Sequence, residues 1–404
     1  MTKRFCPSGP SGVLFLALIL VVTAACGGGA SEPGADSGEA GSSESAAGTS
    51  SESAAASADA TEGPGEDSPA GADYLYVASQ SGPAVSVIDM GTHEVVQTIW
   101  LTDLGFTANA KPHHIAVEPD GSFWYVSLIA DGQVLKFNRD NELVGQAEFE
   151  TPGMMAVDPV QDVLYVGRSM AAVNPPQRIG IIDRGDMSID EHDVFFPRPH
   201  AIAAAPGGGR AFSASLAVNQ IASVSPEEDD LEVINVEGAT HTFVQFAVSP
   251  DGNLLVTGGQ TSGEVMVFEI SDPRDPQLFT TFQVGGQPWH PSYSPDGRFV
   301  YFPQRTANSV AVIDTSNWQV VDTIEGEGLA EPHGSAISAD GRTLWVSGRN
   351  TEGVYPSTLL RTSVGDGEPL PAGTVVAIDT ESRQIVSVIE VPAYAAGIGA
   401  RPAY

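Results

Sequence analysis

Short apolar runs separated by tight turns recur along this chain. In one unit, Pro112-His113-His114-Ile115-Ala116-Val117 runs into Glu118-Pro119-Asp120-Gly121, and Phe123-Trp124-Tyr125-Val126-Ser127 follows. The pattern predicts a buried strand, an Asp-Gly turn and a second strand that ends at small polar residues. Pro199-His200-Ala201-Ile202 leads in the same way to Pro206-Gly207, and Phe246-Ala247-Val248-Ser249 to Pro250-Asp251-Gly252. Trp289-His290-Pro291-Ser292 leads to Pro295-Asp296-Gly297, and Pro332-His333-Gly334-Ser335 to Asp340-Gly341. A weaker copy, Pro152-Gly153-Met154-Met155-Ala156-Val157, reaches Pro159.

Gly252 to Gly297 is 45 residues and Gly297 to Gly341 is 44. A period of about 40–50 residues holding several short strands predicts a β-propeller. The units anchored at His113, Met154, His200, Phe246, His290 and His333 each supply their own innermost strand. Before them, Tyr74–Ser79, Ala84–Asp89 and Val95–Leu101 are three strands without an inner one. The tail Ala396-Gly397-Ile398-Gly399-Ala400-Arg401-Pro402, after the outer strand Gln384–Val391, has the inner-strand pattern and completes that first blade. The expected fold is an all-β, seven-bladed propeller over residues 73–404, closed by its C-terminal strand so that no sheet edge is left open.

The N-terminus reads differently. Lys3 and Arg4, the apolar run Val13–Val22 and the small residues Thr23-Ala24-Ala25-Cys26 have the layout of an export signal over residues 1–26. Ala-Ala-Cys resembles a bacterial lipoprotein box, which makes Cys26 the lipidated residue, although Thr23 stands where the motif usually has Leu. Residues 27–72 are almost all Gly, Ala, Ser, Glu and Asp, with a few Pro and Thr and no aromatic or basic residue, the composition of a disordered tether. No other apolar run is long enough to span a membrane, so contact with one is expected only through the lipid anchor.

Composition narrows the function classes. The chain has 404 residues, 42% of them hydrophobic, enough for the cores between blades. Its formal charge of −33 comes from 51 acidic against 18 basic residues, with Lys only at Lys3, Lys111 and Lys136. Such a surface repels nucleic acid and anionic lipid. Acid excess with little Lys also suits a protein kept hydrated in concentrated salt. The two cysteines, Cys6 and Cys26, precede the repeat, so the propeller can hold no disulfide and no thiolate ligand.

Histidine is the most suggestive residue. Counting back from the turn prolines, His113, His200 and His333 share one position, and His114, His290 and Met154 the next. These side chains are expected to ring one mouth of the central channel, with His241 on the rim. Converging imidazoles without cysteine suit a metal centre, and such histidines can equally pack against the neighbouring blade and hydrogen-bond its backbone. The loops after the second strands carry Arg168, Arg305 and Arg349, with Gln304 and Asn350 beside them. Guanidinium groups at a mouth suit a carboxylate or other oxyanion, which gives a small anionic ligand or a protein partner as the expected binding partner. No Ser-His-Asp order, phosphate-binding Gly loop or zinc-protease helix is present.

Third strands such as Val85-Ser86-Val87-Ile88-Asp89, Val310-Ala311-Val312-Ile313-Asp314 and Val375-Val376-Ala377-Ile378-Asp379 resemble the YVTN-type repeat, as do the Ser-Pro-Asp-Gly turns. That family includes surface-layer proteins, lactonase-like enzymes and haem or copper propellers. The pair His113-His114 with single histidines from other blades resembles the copper-binding propeller of nitrous oxide reductase, with Met154 in place of one histidine and no cysteine-rich copper domain. A lipid-anchored propeller also resembles haem d1 assembly proteins. The resemblance therefore implies copper or haem as possible cofactors and lactone hydrolysis as a possible activity.

Overall fold

The computed structural model describes residues 73–168, 177–227, 230–358 and 370–401. Cys26, with the export signal and tether expected over residues 1–72, lies outside the described residues. The described chain forms seven four-stranded antiparallel sheets and one 3-10 turn at Leu101–Leu104. Blade 1 holds Ala395–Arg401, Tyr74–Ser79, Ala84–Asp89 and Glu94–Trp100, from inner to outer strand. Blade 2 runs Pro112–Val117, Phe123–Leu128, Gln133–Asn138 and Leu143–Glu148. Blades 3 to 7 repeat that order, starting from the inner strands Pro152–Val157, Pro199–Ala204, Phe243–Val248, Ser292–Tyr293 and Pro332–Ile337. Each inner strand touches the next, and the inner strand of blade 7 touches Ala395–Arg401, so the ring closes.

The expected closure is present, with Tyr74 opposite Arg401 and Tyr76 opposite Gly399. Bounds shift by one residue at two places: the expected Val95–Leu101 strand is Glu94–Trp100, and the closing strand begins at Ala395. Blade 6 departs more. Its inner strand is cut to Ser292–Tyr293, preceded by an isolated bridge from Pro288 to Gln304. Pro291 has no N–H to give the ladder, and the strand starts only after it.

Stability comes from between the blades. Each of the seven hydrophobic clusters spans one pair of neighbouring blades, for example Tyr76, Trp124 and Phe137, whose rings stack at 4.5 and 4.2 Å. The far-face turns repeat one arrangement. Ser249 Oγ donates to Asp251 Oδ1 and accepts from the Leu254 N–H, while Gly252 takes φ 76°. Ser294/Asp296 and Ser338/Asp340 copy it.

A β-bulge sits at the start of most inner strands. In blade 2, Pro112 pairs with Leu128 and Ile115 with Val126, so His113 and His114 together face only Ser127. The Ser127 hydroxyl takes up the slack, accepting the His114 N–H and donating to the Gly153 carbonyl of blade 3. Ser347 does the same between Gly334 and Ala396. In blade 1 the bulge brings Gly397 against blade 2, where a Cβ would run into the His113 carbonyl and lie 2.5 Å from His114 Cα. Gly397→Ala is therefore expected to lower the unfolding free energy by about 1–3 kcal/mol through overpacking against backbone. A urea midpoint equal to that of the parent protein would contradict this packing.

Candidate functional site

Three positions in each blade build the channel mouth. The first is the residue before the inner strand: Lys111, Thr151, Arg198, Thr242, Gln287, Glu331 and Tyr394 all lie in the left-handed region, with φ between 50° and 64°. Blade 6 holds to this rule with Gln287, one residue before Pro288. The second position lies two residues later, and the third is the residue after the second strand. Wherever it is described, the third residue's N–H donates to the first residue's carbonyl. The bonds are Gln80 to Tyr394, Ile129 to Lys111, Leu216 to Arg198, Gln260 to Thr242, Arg305 to Gln287 and Arg349 to Glu331, at 2.8–3.2 Å.

These positions enclose a cavity of about 360 Å³. Arg198, Thr242 and Tyr394 come from the first position, and His113, His200, Val244, Trp289 and His333 from the second. Gln80, Ile129, Leu216, Gln260, Arg305 and Arg349 come from the third. Trp289 occupies in blade 6 the place that histidine holds in blades 2, 4 and 7.

Five imidazoles gather here in a connected chain. Ring centroids are 5.7 Å apart for His200–His113, 5.9 Å for His113–His333, 4.6 Å for His333–His290 and 6.3 Å for His290–His114. None is more than 9% exposed, and only His113, His200 and His333 line the cavity. Burial, reinforced in most cases by the neighbouring imidazoles, disfavours the charged form. It holds His113, His290 and His333 well below the ordinary value, His200 at about 4 and His114 at about 3. All five are neutral at pH 7.

Hydrogen bonds select the tautomers. His200 Nδ1–H donates to the Val244 carbonyl at 2.7 Å and His113 Nδ1–H to Gln80 Oε1 at 3.1 Å, leaving each Nε2 a lone pair. His114 is set the other way, because its Nδ1 accepts the Met155 N–H at 3.2 Å. His113 Nε2, His290 Nε2 and His333 Nδ1 are buried with no protein partner.

The cations divide the expected set. Arg349 lies 4.2 Å from the Tyr394 ring and 5.6 Å from Trp289, and burial lowers its pKa. Arg305 lies 5.3 Å from the Trp289 ring, donates to Gln287 and is 3.7 Å from Glu331. Burial raises the Glu331 pKa, but hydrogen bonds from Thr351 and the charges of Arg349 and Arg305 outweigh it, and the carboxyl stays below its usual range. Arg168 stands apart. It pairs with Glu191 at 2.5 Å and covers the Phe149 ring, outside the cavity lining. The reason is register: Arg168 ends its strand, as Gln304 does in blade 6, whereas Arg305 and Arg349 follow theirs, and successive residues face opposite ways.

Gln304 and Asn350 serve the scaffold. Gln304 bridges the Val284 carbonyl and Ser309, and Asn350 ties the Tyr355 and Ala372 carbonyls. His241 lies outside the imidazole chain, bonded to Ser262 and the Glu237 carbonyl. Met154 packs in the core between blades 3 and 4. Arg198, Gln80, Trp289 and Tyr394 were not singled out from the sequence; aligning the residue before each inner strand and the residue after each second strand would have found Arg198, Tyr394 and Gln80, and the position shared by His113, His200 and His333 would have found Trp289. Among the described residues, no three His, Cys, Asp or Glu side chains converge as ligands on one point.

Neutral buried histidines make stability pH-dependent. The unfolded chain takes up protons near pH 6.5, whereas the folded imidazoles resist until about 4 for His200 and about 3 for His114. The unfolded state thus binds more protons, and stability is expected to fall as pH drops below about 6.5. Each such histidine contributes about 1.4 kcal/mol per pH unit down to its folded value. Denaturant midpoints that do not change between pH 7.5 and pH 5 would contradict this arrangement.

No family model matches the chain. A 6-phosphogluconolactonase of Enterobacter sp. (strain 638) is 34% identical over 139 residues, 31% of this chain, and the match spans 41% of that relative. Among solved structures, a functionally unknown protein of Desulfotomaculum acetoxidans DSM 771 superposes with a TM-score of 0.65 at 14% identity, covering 82% of this chain and 99% of its own. The Pseudomonas aeruginosa periplasmic gluconolactonase gives 0.61 at 18% identity over 82% and 100%. A dihydro-heme d1 dehydrogenase in complex with DHE gives 0.55 at 16% over 81% and 74%. The structural likenesses show the fold alone. The protein is a seven-bladed β-propeller similar in sequence, over about a third of its length, to a lactonase.

Proposed function

We propose that the mouth cavity binds a small anionic ligand and hydrolyses a lactone bearing a carboxylate or phosphate. The observation that carries this reading is that histidines with an unprotonated ring nitrogen and arginines line one partly enclosed space. Arg349, backed by Tyr394 and Trp289, suits the ligand's anionic group, while Arg305 is already partly neutralised by Glu331. The sequence similarity to a 6-phosphogluconolactonase points the same way.

The chemistry balances with water as the only co-reactant. His113 Nε2 takes a proton from water as the water oxygen bonds to the lactone carbonyl carbon, and the carbonyl electron pair moves to oxygen. A guanidinium beside that oxygen stabilises the charge. Collapse breaks the ring C–O bond, and the leaving oxygen takes the proton back from the imidazolium, giving the open hydroxy acid. A bound anion favours the protonated imidazole and so raises the low pKa of His113 towards the working range.

A copper centre held by three or more protein ligands draws less support, because no such convergent set is present among the described residues. We further propose that the protein works outside the cytoplasm, tethered through Cys26.

Acid release from aldonic-acid lactones and their phosphates, followed in a pH-stat with the full chain, tests the reading. His113→Asn is expected to lower kcat about 100-fold or more with the fold intact by circular dichroism. Arg349→Gln is expected to raise KM about tenfold, the scale of one lost charge-assisted contact. Acid release no faster than the spontaneous rate from every lactone tried would sink the hydrolase reading and leave a binding protein.

A further inference from the structure

Resting on that reading, we propose that Gln80 is a positioning residue, which fixes the tautomer of His113 and thereby leaves its Nε2 the unprotonated, basic ring nitrogen. Gln80 follows the first described strand, Tyr74–Ser79, and belongs to the blade next to the histidine it contacts. Its N–H donates to the Tyr394 carbonyl at 2.8 Å, which fixes where its side chain starts. Its Oε1 lies 3.1 Å from His113 Nδ1, and the side chain lines the cavity.

Only one proton arrangement suits this geometry. With the amide oxygen towards the ring, His113 donates from Nδ1 and keeps a lone pair on Nε2. Turning the amide over would put the proton on Nε2, which is buried with no protein partner. A buried N–H without an acceptor is less tolerable than a bare lone pair. The remaining neighbours do not compete for Nδ1: His200 and His333 meet the His113 ring in T-shaped contacts. His200 owes its tautomer to a main-chain carbonyl, and His114 has the opposite one through a main-chain N–H. His113 is thus the cavity histidine whose proton is placed by a side chain, and so the one a substitution can alter without moving the backbone.

The test reads the proton and the rate separately. In full-length protein carrying ¹⁵N-histidine, long-range proton–nitrogen spectra, with His113 assigned through His113→Asn, are expected to show Nδ1–H and a bare Nε2. Gln80→Leu, which keeps the volume and removes the acceptor, should turn His113 into a tautomer mixture and lower kcat about 10- to 100-fold with KM within about threefold, the usual cost of losing an orienting partner. Gln80→Glu should restore the single tautomer and shift the acid limb of the rate profile upward. The charged and titratable groups that set the starting point are His114, His200 and His333 around the ring, with Arg349 nearby.

Wild-type His113 protonated on Nε2, or a tautomer unmoved in Gln80→Leu, overturns the proposal whether or not the protein hydrolyses lactones. A moved tautomer with unchanged kcat also overturns it. If no lactone turns over in wild type, the functional reading fails, and the spectra alone decide whether Gln80 sets the proton.

Discussion

The mouth depends on one backbone conformation repeated around the ring. A left-handed residue before each inner strand costs about 1–2 kcal/mol when it is not glycine, and here seven non-glycine residues adopt it. What holds six of them, wherever the partner is described, is the carbonyl that each turns towards the second strand, where it receives an N–H. Three of these residues, Arg198, Thr242 and Tyr394, line the cavity. The interblade cores supply the stability against which this strain is set, and the strain collects where a ligand would bind. Bulges then turn the following residues inward, so positions that would alternate in a flat strand come to share one space.

Electrostatically, the cavity reverses the character of the whole chain. In a chain with 33 more acidic than basic residues, the mouth holds Arg198, Arg305 and Arg349, with Glu331 as the acid among them. Buried imidazoles add no charge at neutral pH, because burial and mutual proximity keep them neutral. They supply lone pairs and ring edges, and the guanidiniums supply the attraction. Under the proposed function, this division would let an anion approach bases that are unprotonated before it arrives, which a cluster of charged histidines could not offer.

Much of this was legible in the residues. The period of the turns gave seven blades and the closing strand, because an Asp-Gly or related turn or an inner-strand proline marks most units. The clustering of His113, His114, His200, His290 and His333 followed from the same alignment. What misled was phase. Arg168 and Arg305 look equivalent in loops of similar sequence, but one ends its strand and the other follows it, and one residue of register reverses the face. Met154 shares a histidine's place in the alignment, yet an apolar side chain has an interblade core to enter. Arg198 and Tyr394 were hidden because a left-handed conformation in a residue other than glycine leaves no mark in the sequence.

The bond from Gln80 to the Tyr394 carbonyl joins the two ends of the propeller, and it lies one step from His113. A chain emerging from a ribosome or an export channel presents Gln80 and His113 early, yet their geometry waits for Tyr394, 314 residues after Gln80 and 281 after His113. Until then blades 2 to 7 can hold their own sheets while blade 1 and the mouth stay incomplete. Closure of the ring and readiness of the cavity are therefore a single event, and clipping the closing strand from the mature protein would silence the mouth even with all its histidines in place.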